Sequence, residues 1–192
     1  MKKNGAMLGA AVILAVCAMG AGPAQQQKAA ALKPSAGIAA EFLEQWNHTG
    51  EKLVAMAQDF PEDKFDYKAT QTQRTFAEQL LHVAGANYYF IAAASGAKPP
   101  DEGVENPSRA TYKTRAQVVA YIQKSFADGA AVIRQQGDKG MLEAVKSPFG
   151  NEMYTRAAVW TFAMNHANDH YGQCVVYYRL NGLVPPESRN QQ

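Results

Sequence analysis

Cysteine is nearly missing from this 192-residue chain. There are two, Cys17 and Cys174, too few for a disulfide-stapled scaffold. An excess of either charge is missing as well. Against 19 Lys and Arg stand 17 Asp and Glu, and no like-charged block reaches five residues, so the electrostatic footprint of a nucleic-acid binder is absent. At 19% charged and 47% hydrophobic, the composition excludes a disordered polymer. No alternating run bounded by hairpin turns occurs, so no sheet is expected, and no repeat of 20–50 residues argues for a solenoid. What remains is one globular domain, with or without a removable segment, acting on something small.

The long apolar run that does occur lies at the start. Lys2 and Lys3 precede an uncharged stretch over 6–20, followed by Gly22-Pro23-Ala24. This order reads as a secretory signal peptide over 1–24, cut after Ala24, and predicts a periplasmic or secreted protein with no stable membrane contact after cleavage. The stretch is short of the roughly 20 apolar residues of a membrane span; an uncleaved anchor helix is the alternative. A lipid anchor at Cys17 is disfavoured by Val16, where a small residue normally precedes the modified cysteine. Cleavage removes Lys2, Lys3 and Cys17, which leaves acidic and basic side chains equal in number and Cys174 without an internal partner. Residues 25–33 (QQQKAAALK) read as a polar lead-in, and 34–192 as the folded domain.

That domain carries four helical periods. In 34–58, Ile38, Phe42, Trp46, Leu53, Val54 and Ala57 recur on one face, Pro34 suits a first turn, and Gly50 weakens the interior by about 1 kcal/mol relative to Ala. The second helix is expected over 72–95, with Thr72 as its N-cap and Gly96 as its stop. Pro and Asn-Pro make 96–113 a loop. The third covers 114–136, with Val118, Tyr121, Ile122, Phe126 and Ile133 inward and Gly137 at its end. A short turn of helix is expected over 138–145, and the fourth long helix covers 153–180, closed by Asn181-Gly182 and Pro185-Pro186. Four amphipathic helices bury their stripes most simply as an all-α four-helix bundle. The long second connection does not compel an up-down-up-down order.

Histidine occurs only four times, and its placement carries chemistry. His166 and His170 stand four apart, on one face of the fourth helix, with Val159, Ala163 and Tyr177. Imidazoles on a buried face must be hydrogen-bonded, charged or metal-bound. His82 lies in the apolar run Phe76-Ala77-Glu78-Gln79-Leu80-Leu81-His82-Val83 of the second helix and should also face inward. Three histidines from two helices can hold one divalent metal and leave a position open for water or substrate. Core histidines satisfied by hydrogen bonds are the competing reading. His48 shares a face with Glu41, Gln45 and Lys52 and reads as a surface residue. Glu78, one turn before His82, can orient that ligand or accept a proton; a solvated helix-face carboxylate is the alternative. Asp169 points about 100° away from His170 and is a poorer candidate. Gln173 is within reach of the pocket, whereas Tyr88, Tyr89 and Tyr171 read as packing or rim residues. Glu-x-x-His pairs of a ferritin-like di-iron site are absent.

The segment Phe76–Val83, the run Asn165-His166-Ala167-Asn168-Asp169-His170-Tyr171-Gly172-Gln173, the loop Phe60-Pro61-Glu62-Asp63-Lys64-Phe65-Asp66-Tyr67 and the tail Tyr178–Ser188 together resemble the DinB family of metal-binding four-helix bundles. The resemblance spans 36–188. It implies an up-down-down-up bundle, a divalent zinc or nickel ion on His82, His166 and His170, and a homodimer. It implies no particular substrate, and the export signal departs from the typical member. The leading expectation is a metal-dependent, hydrolase-type enzyme acting on a small molecule. The alternatives are a thiol-dependent S-transferase of the same superfamily, and a secreted metal-binding or stress-related module without catalysis.

Overall fold

Hydroxyl caps set where three of the four long helices begin. The structure is a computed structural model and describes residues 37–98, 100 and 104–189. The expected signal peptide, Cys17, the lead-in and Pro34 lie outside the described residues. Helix α1 spans Ile38–Asp59, α2 Phe76–Ala94, α3 Arg115–Met141, α4 Arg156–Leu180 and the short α5 Pro186–Arg189. Thr75 opens α2 with a capping box: its Oγ1 accepts from the Glu78 N–H at 3.1 Å, and Glu78 Oε2 accepts from the Thr75 N–H at 2.7 Å. Thr114 and Gln117 form the same device on α3, and Thr155 caps α4. Each cap satisfies donors that the first turn leaves without an intrahelical partner.

The cap of α2 is therefore Thr75, three residues beyond the expected Thr72. The chain before it is pinned in an extended path, with Phe76 N–H on the Tyr67 carbonyl and Ala77 N–H on the Phe65 carbonyl, so the helix cannot start earlier. A second correction concerns the third connection. Gly137 leaves helical geometry (φ 57°, ψ −178°), but the helix resumes through Met141. Residues Ala144–Lys146 (β1) then pair antiparallel with Met153–Thr155 (β2), Val145 opposite Tyr154. The expected turn of helix after Gly137 is present but stops at Met141, short of the expected 145, and the expected absence of any sheet gives way to this hairpin. Three-residue strands are too short to show a period of two, and the pairing partner lies across a Ser147-Pro148-Phe149-Gly150 turn.

Contacts between helices set their directions. Ala39 N–H meets Asp138 Oδ1 and the Trp46 indole N–H meets the Phe126 carbonyl, so α1 and α3 run antiparallel. Asn87 bonds Ser125 while Gln136 reaches the Ala94 carbonyl, so α2 and α3 run parallel. Arg156 at the start of α4 reaches Ala94 at the end of α2, and Tyr177 near the end of α4 reaches Arg74 before α2, so that pair is antiparallel. The order is up-down-down-up, with α1, α3, α2 and α4 arranged as a ring. At one level of the core, Trp46 packs on Trp160 with ring centroids 5.2 Å apart and on Phe126 at 4.8 Å. Gly129 permits this approach, since a Cβ there would lie 2.4 Å from Trp46. At another level, Phe60 stacks on Phe76 at 3.9 Å and Tyr178 packs on both, its hydroxyl donating to the Met56 carbonyl.

The caps make a quantitative expectation. Thr75→Ala should lower unfolding free energy by about 1 kcal/mol, whereas Thr72→Ala, on the exposed chain before the cap, should change it by less than about 0.5 kcal/mol. Urea denaturation of the two variants checks the assignment, and equal losses would contradict it.

Candidate metal centre

The antiparallel packing of α2 on α4 brings one residue of the first helix against two of the second. His82, His166 and His170 each offer a ring nitrogen, and these atoms lie within 4.8 Å of one another. The Nε2 atoms of His82 and His166 stand 3.1 Å apart. Two nitrogens held by one tetrahedral zinc at about 2.0–2.1 Å would stand about 3.3 Å apart, so the pair has the spacing that one ion demands. His170 is 7% exposed, and the other two are half-buried.

The other edge of two rings is held in place. His82 Nδ1–H donates to the Glu105 carbonyl at 2.7 Å, and His170 Nδ1–H donates to Gln79 Oε1 at 2.7 Å. Both bonds leave Nε2 as a lone-pair donor, the tautomer a metal requires. Gln79 is itself oriented, its amide donating to Gln173 Oε1 at 2.7 Å. His166 Nδ1 is buried with no hydrogen-bond partner among the described residues. Burial disfavours the imidazolium at all three. It lowers the pKa of His82, brings His166 down to about 4 with help from the neighbouring His82, and brings His170 down to about 3 with help from His166 and His82. The cluster is thus neutral at pH 7, and a neutral imidazole is what binds a cation.

A glycine supplies the room for the Glu105 carbonyl. A Cβ on Gly85 would lie 2.1 Å from the Val104 carbonyl oxygen and 2.9 Å from Glu105 Cα. Only a residue without a side chain lets the connection between α2 and α3 lie this close to α2, one turn beyond His82.

Glu78 spends its carboxylate on the Thr75 cap. The carboxylates whose charge reaches the imidazoles are Glu105, acting on His82, and Asp169, acting on His166. Gln173 stands one hydrogen bond behind His170, through Gln79. Gln79 and the Glu105 carbonyl were not singled out by sequence reasoning. Gln79 carried one usable signal, a polar residue in an otherwise apolar run; a backbone carbonyl in a loop carries none. Arg74 approaches from before α2 and bonds Asn106 at 3.0 Å, and its charge also disfavours protonation of the three histidines. His48 is exposed on α1, away from the cluster. Tyr88 packs between α2 and α3 with its hydroxyl on Asp128, and Tyr171 lies under the Lys52 ammonium. Cys174 is fully buried and its thiol is pushed up to about 12, so it supplies no nucleophile. A cleft of about 290 Å³ opens beside His166, with Glu105, Asn165 and Asp169 among its polar lining.

The family model that matches this chain is that of the DinB family, over residues 27–190. The chain belongs to the DinB family. Solved structures share its fold at low identity. A DinB-like protein from Bacillus cereus aligns with a TM-score of 0.63 and 17% identity over 76% of this chain and 93% of its own. YjoA, a DinB-like protein from Bacillus subtilis, gives 0.58 and 17% over 74% and 92%. YfiT from Bacillus subtilis, described as a probable metal-dependent hydrolase with an unusual four-helix bundle topology, gives 0.56 and 15% over 79% and 94%. No curated protein sequence matches the chain. At these identities the structures speak for the fold of this DinB-family chain, and its own three histidines speak for a divalent-metal site.

Two outcomes follow from this geometry. Gly85→Ala should displace the 104–105 backbone, free His82 Nδ1 and weaken divalent-metal affinity about tenfold or more; chelator competition measures it, and unchanged affinity would remove the carbonyl from the site. The second concerns acid. His166 and His170 titrate below 6.5 when folded, so the unfolded chain takes up their protons first. Metal-free protein should therefore hold its full stability above about pH 6.5 and lose the part linked to these histidines as pH falls through about 4 toward about 3. A flatter denaturation profile for His166→Asn/His170→Asn in that window is the expected control, and an unchanged profile would assign the loss to other groups.

Proposed function

We propose that this chain is a metal-dependent, hydrolase-type enzyme acting on a small electrophile such as an ester or amide, with His82, His166 and His170 holding one zinc or nickel ion. The observation that carries this reading is the number and orientation of donors. Three neutral imidazoles converge, two of them fixed by hydrogen bonds through Nδ1, and among the described residues no cysteine or carboxylate joins the group as a fourth donor. Structural zinc sites close with four protein ligands, whereas catalytic ones keep a position for water or substrate. A metal-storage module has no need of that opening.

A divalent ion supplies Lewis acidity there, polarising a carbonyl and lowering the pKa of water. The chain's own residues do the rest. The Glu105 carbonyl and Gln79 hold two rings in the ligating tautomer, and the apolar walls of α2 and α4 limit water around them. Asp169 and the Glu105 side chain line the cleft at His166 and can take up or return a proton there. Glu78 supports the site indirectly, by fixing the start of the helix that carries Gln79 and His82.

Metal analysis and a panel of small esters and amides test this together. Purified protein should carry about one divalent ion per chain; His166→Ala and His170→Ala should lose it, and His82→Ala should lower turnover at least about a hundredfold. Chelation should abolish turnover and the same metal should restore it. Equal activity in native, chelated and His82→Ala protein would sink the reading. Turnover that depends on an added low-molecular-weight thiol would replace hydrolysis with transfer.

A further inference from the structure

Phe149 is 65% exposed, yet the protein holds it in place. It sits in the turn between β1 and β2. The Tyr89 hydroxyl donates to the Pro148 carbonyl beside it, Phe149 N–H donates to Ser147 Oγ at 3.0 Å, and Ser147 N–H donates to the Glu152 carbonyl at 2.7 Å. From this turn the Phe149 ring meets Phe162 edge-on at 5.3 Å between centroids and Phe90 at 6.0 Å. Phe90 in turn lies 5.9 Å from the His166 ring. Tyr89, Phe90, Phe149 and Phe162 thus wall the 290 Å³ cleft that His166 also lines, and the aromatic wall runs from solvent to a member of the histidine cluster.

We propose that this cleft is a subsite for a flat aromatic or similarly apolar, uncharged group of the substrate, and that Phe149 sets the preference. This inference rests on the metal-centre reading of the three histidines. The lining has the character of a small-ligand site, mostly apolar with a few polar groups at one side, and its volume stands at the lower end of such sites. It suits a single ring rather than a macromolecule. Edge and face contacts from several aromatic side chains favour another ring over an aliphatic chain. Glu105 and Asp169 border the same cleft and repel an anionic group, and the apolar aromatic wall makes burial of any charged group costly, so the group that enters is neutral. With that group laid against the Phe149–Phe162 pair, the polar end of the substrate meets the cluster at His166.

Two small chelating probes that differ by one ring test this. The protein is reconstituted with Co(II), whose visible absorption reports a ligand entering the coordination sphere, and titrated with acetohydroxamate and benzohydroxamate. After correction for their affinities toward free Co(II), benzohydroxamate should bind about tenfold more tightly. Phe149→Ala should bring the two within about twofold and leave acetohydroxamate binding unchanged; Phe149→Tyr should keep the preference. Equal affinity of the two probes for the native protein overturns the subsite, and a preference that survives Phe149→Ala overturns the role given to Phe149. A Co(II) spectrum unmoved by either probe overturns the open metal position itself, a failure distinct from that of the subsite.

Discussion

Three imidazoles brought together between two helices impose the constraint on which the site depends. A buried ring nitrogen needs a partner, and the cluster can offer only so many. Two of the three Nδ1 atoms are satisfied from outside, by the Glu105 carbonyl and by Gln79. That choice turns the Nε2 atoms of His82 and His170 toward the cluster as lone-pair donors. Desolvation then keeps the rings neutral. The same burial that would make these histidines costly as isolated core residues prepares them as a set to receive a cation.

Bundle topology supplies one of those partners. Because α2 and α3 run parallel, the chain must cross the length of the bundle between them, and a short hairpin loop cannot do this. The long crossover brings Glu105 to His82 and Asn106 to Arg74. Gly85 lets it lie against α2 without a side chain intervening. An up-down-up-down bundle would need no such crossover. The order of the helices and the orientation of His82 are therefore linked through one stretch of backbone.

Apolar clusters support the site from several sides. Phe60, Phe76 and Tyr178 pack near the start of α2, and Thr75 with Glu78 fixes where that helix begins, which sets the register of Gln79 and His82 against α4. The Trp46–Trp160 pair ties α1 to α4, and the Trp160 indole bonds Gln136 on α3. On the β1–β2 side, the hairpin turn carries Phe149 to the cleft beside His166. Rigidity of the scaffold and access to the cluster thus come from different elements, the helices for the first and the hairpin for the second.

The amino-acid sequence by itself determined the four long helices, the inward faces of His82, His166 and His170, and the exposed position of His48. These rest on a 3.6-residue period sustained over 19 to 27 residues, a signal that local geometry dictates. The distance between helices, and everything that follows from it, was decided by tertiary structure. Thr75 rather than Thr72 caps α2 because Phe65 and Tyr67 hold the incoming chain. Glu78 lies one turn from His82 in sequence, yet its carboxylate goes to the cap, where a backbone N–H of the first turn lacks any other partner. The hairpin of β1 and β2 escaped notice because three residues carry no readable period. The Glu105 carbonyl left no mark at all, since every residue has a carbonyl and only the crossover beside Gly85 decides which one reaches the imidazole.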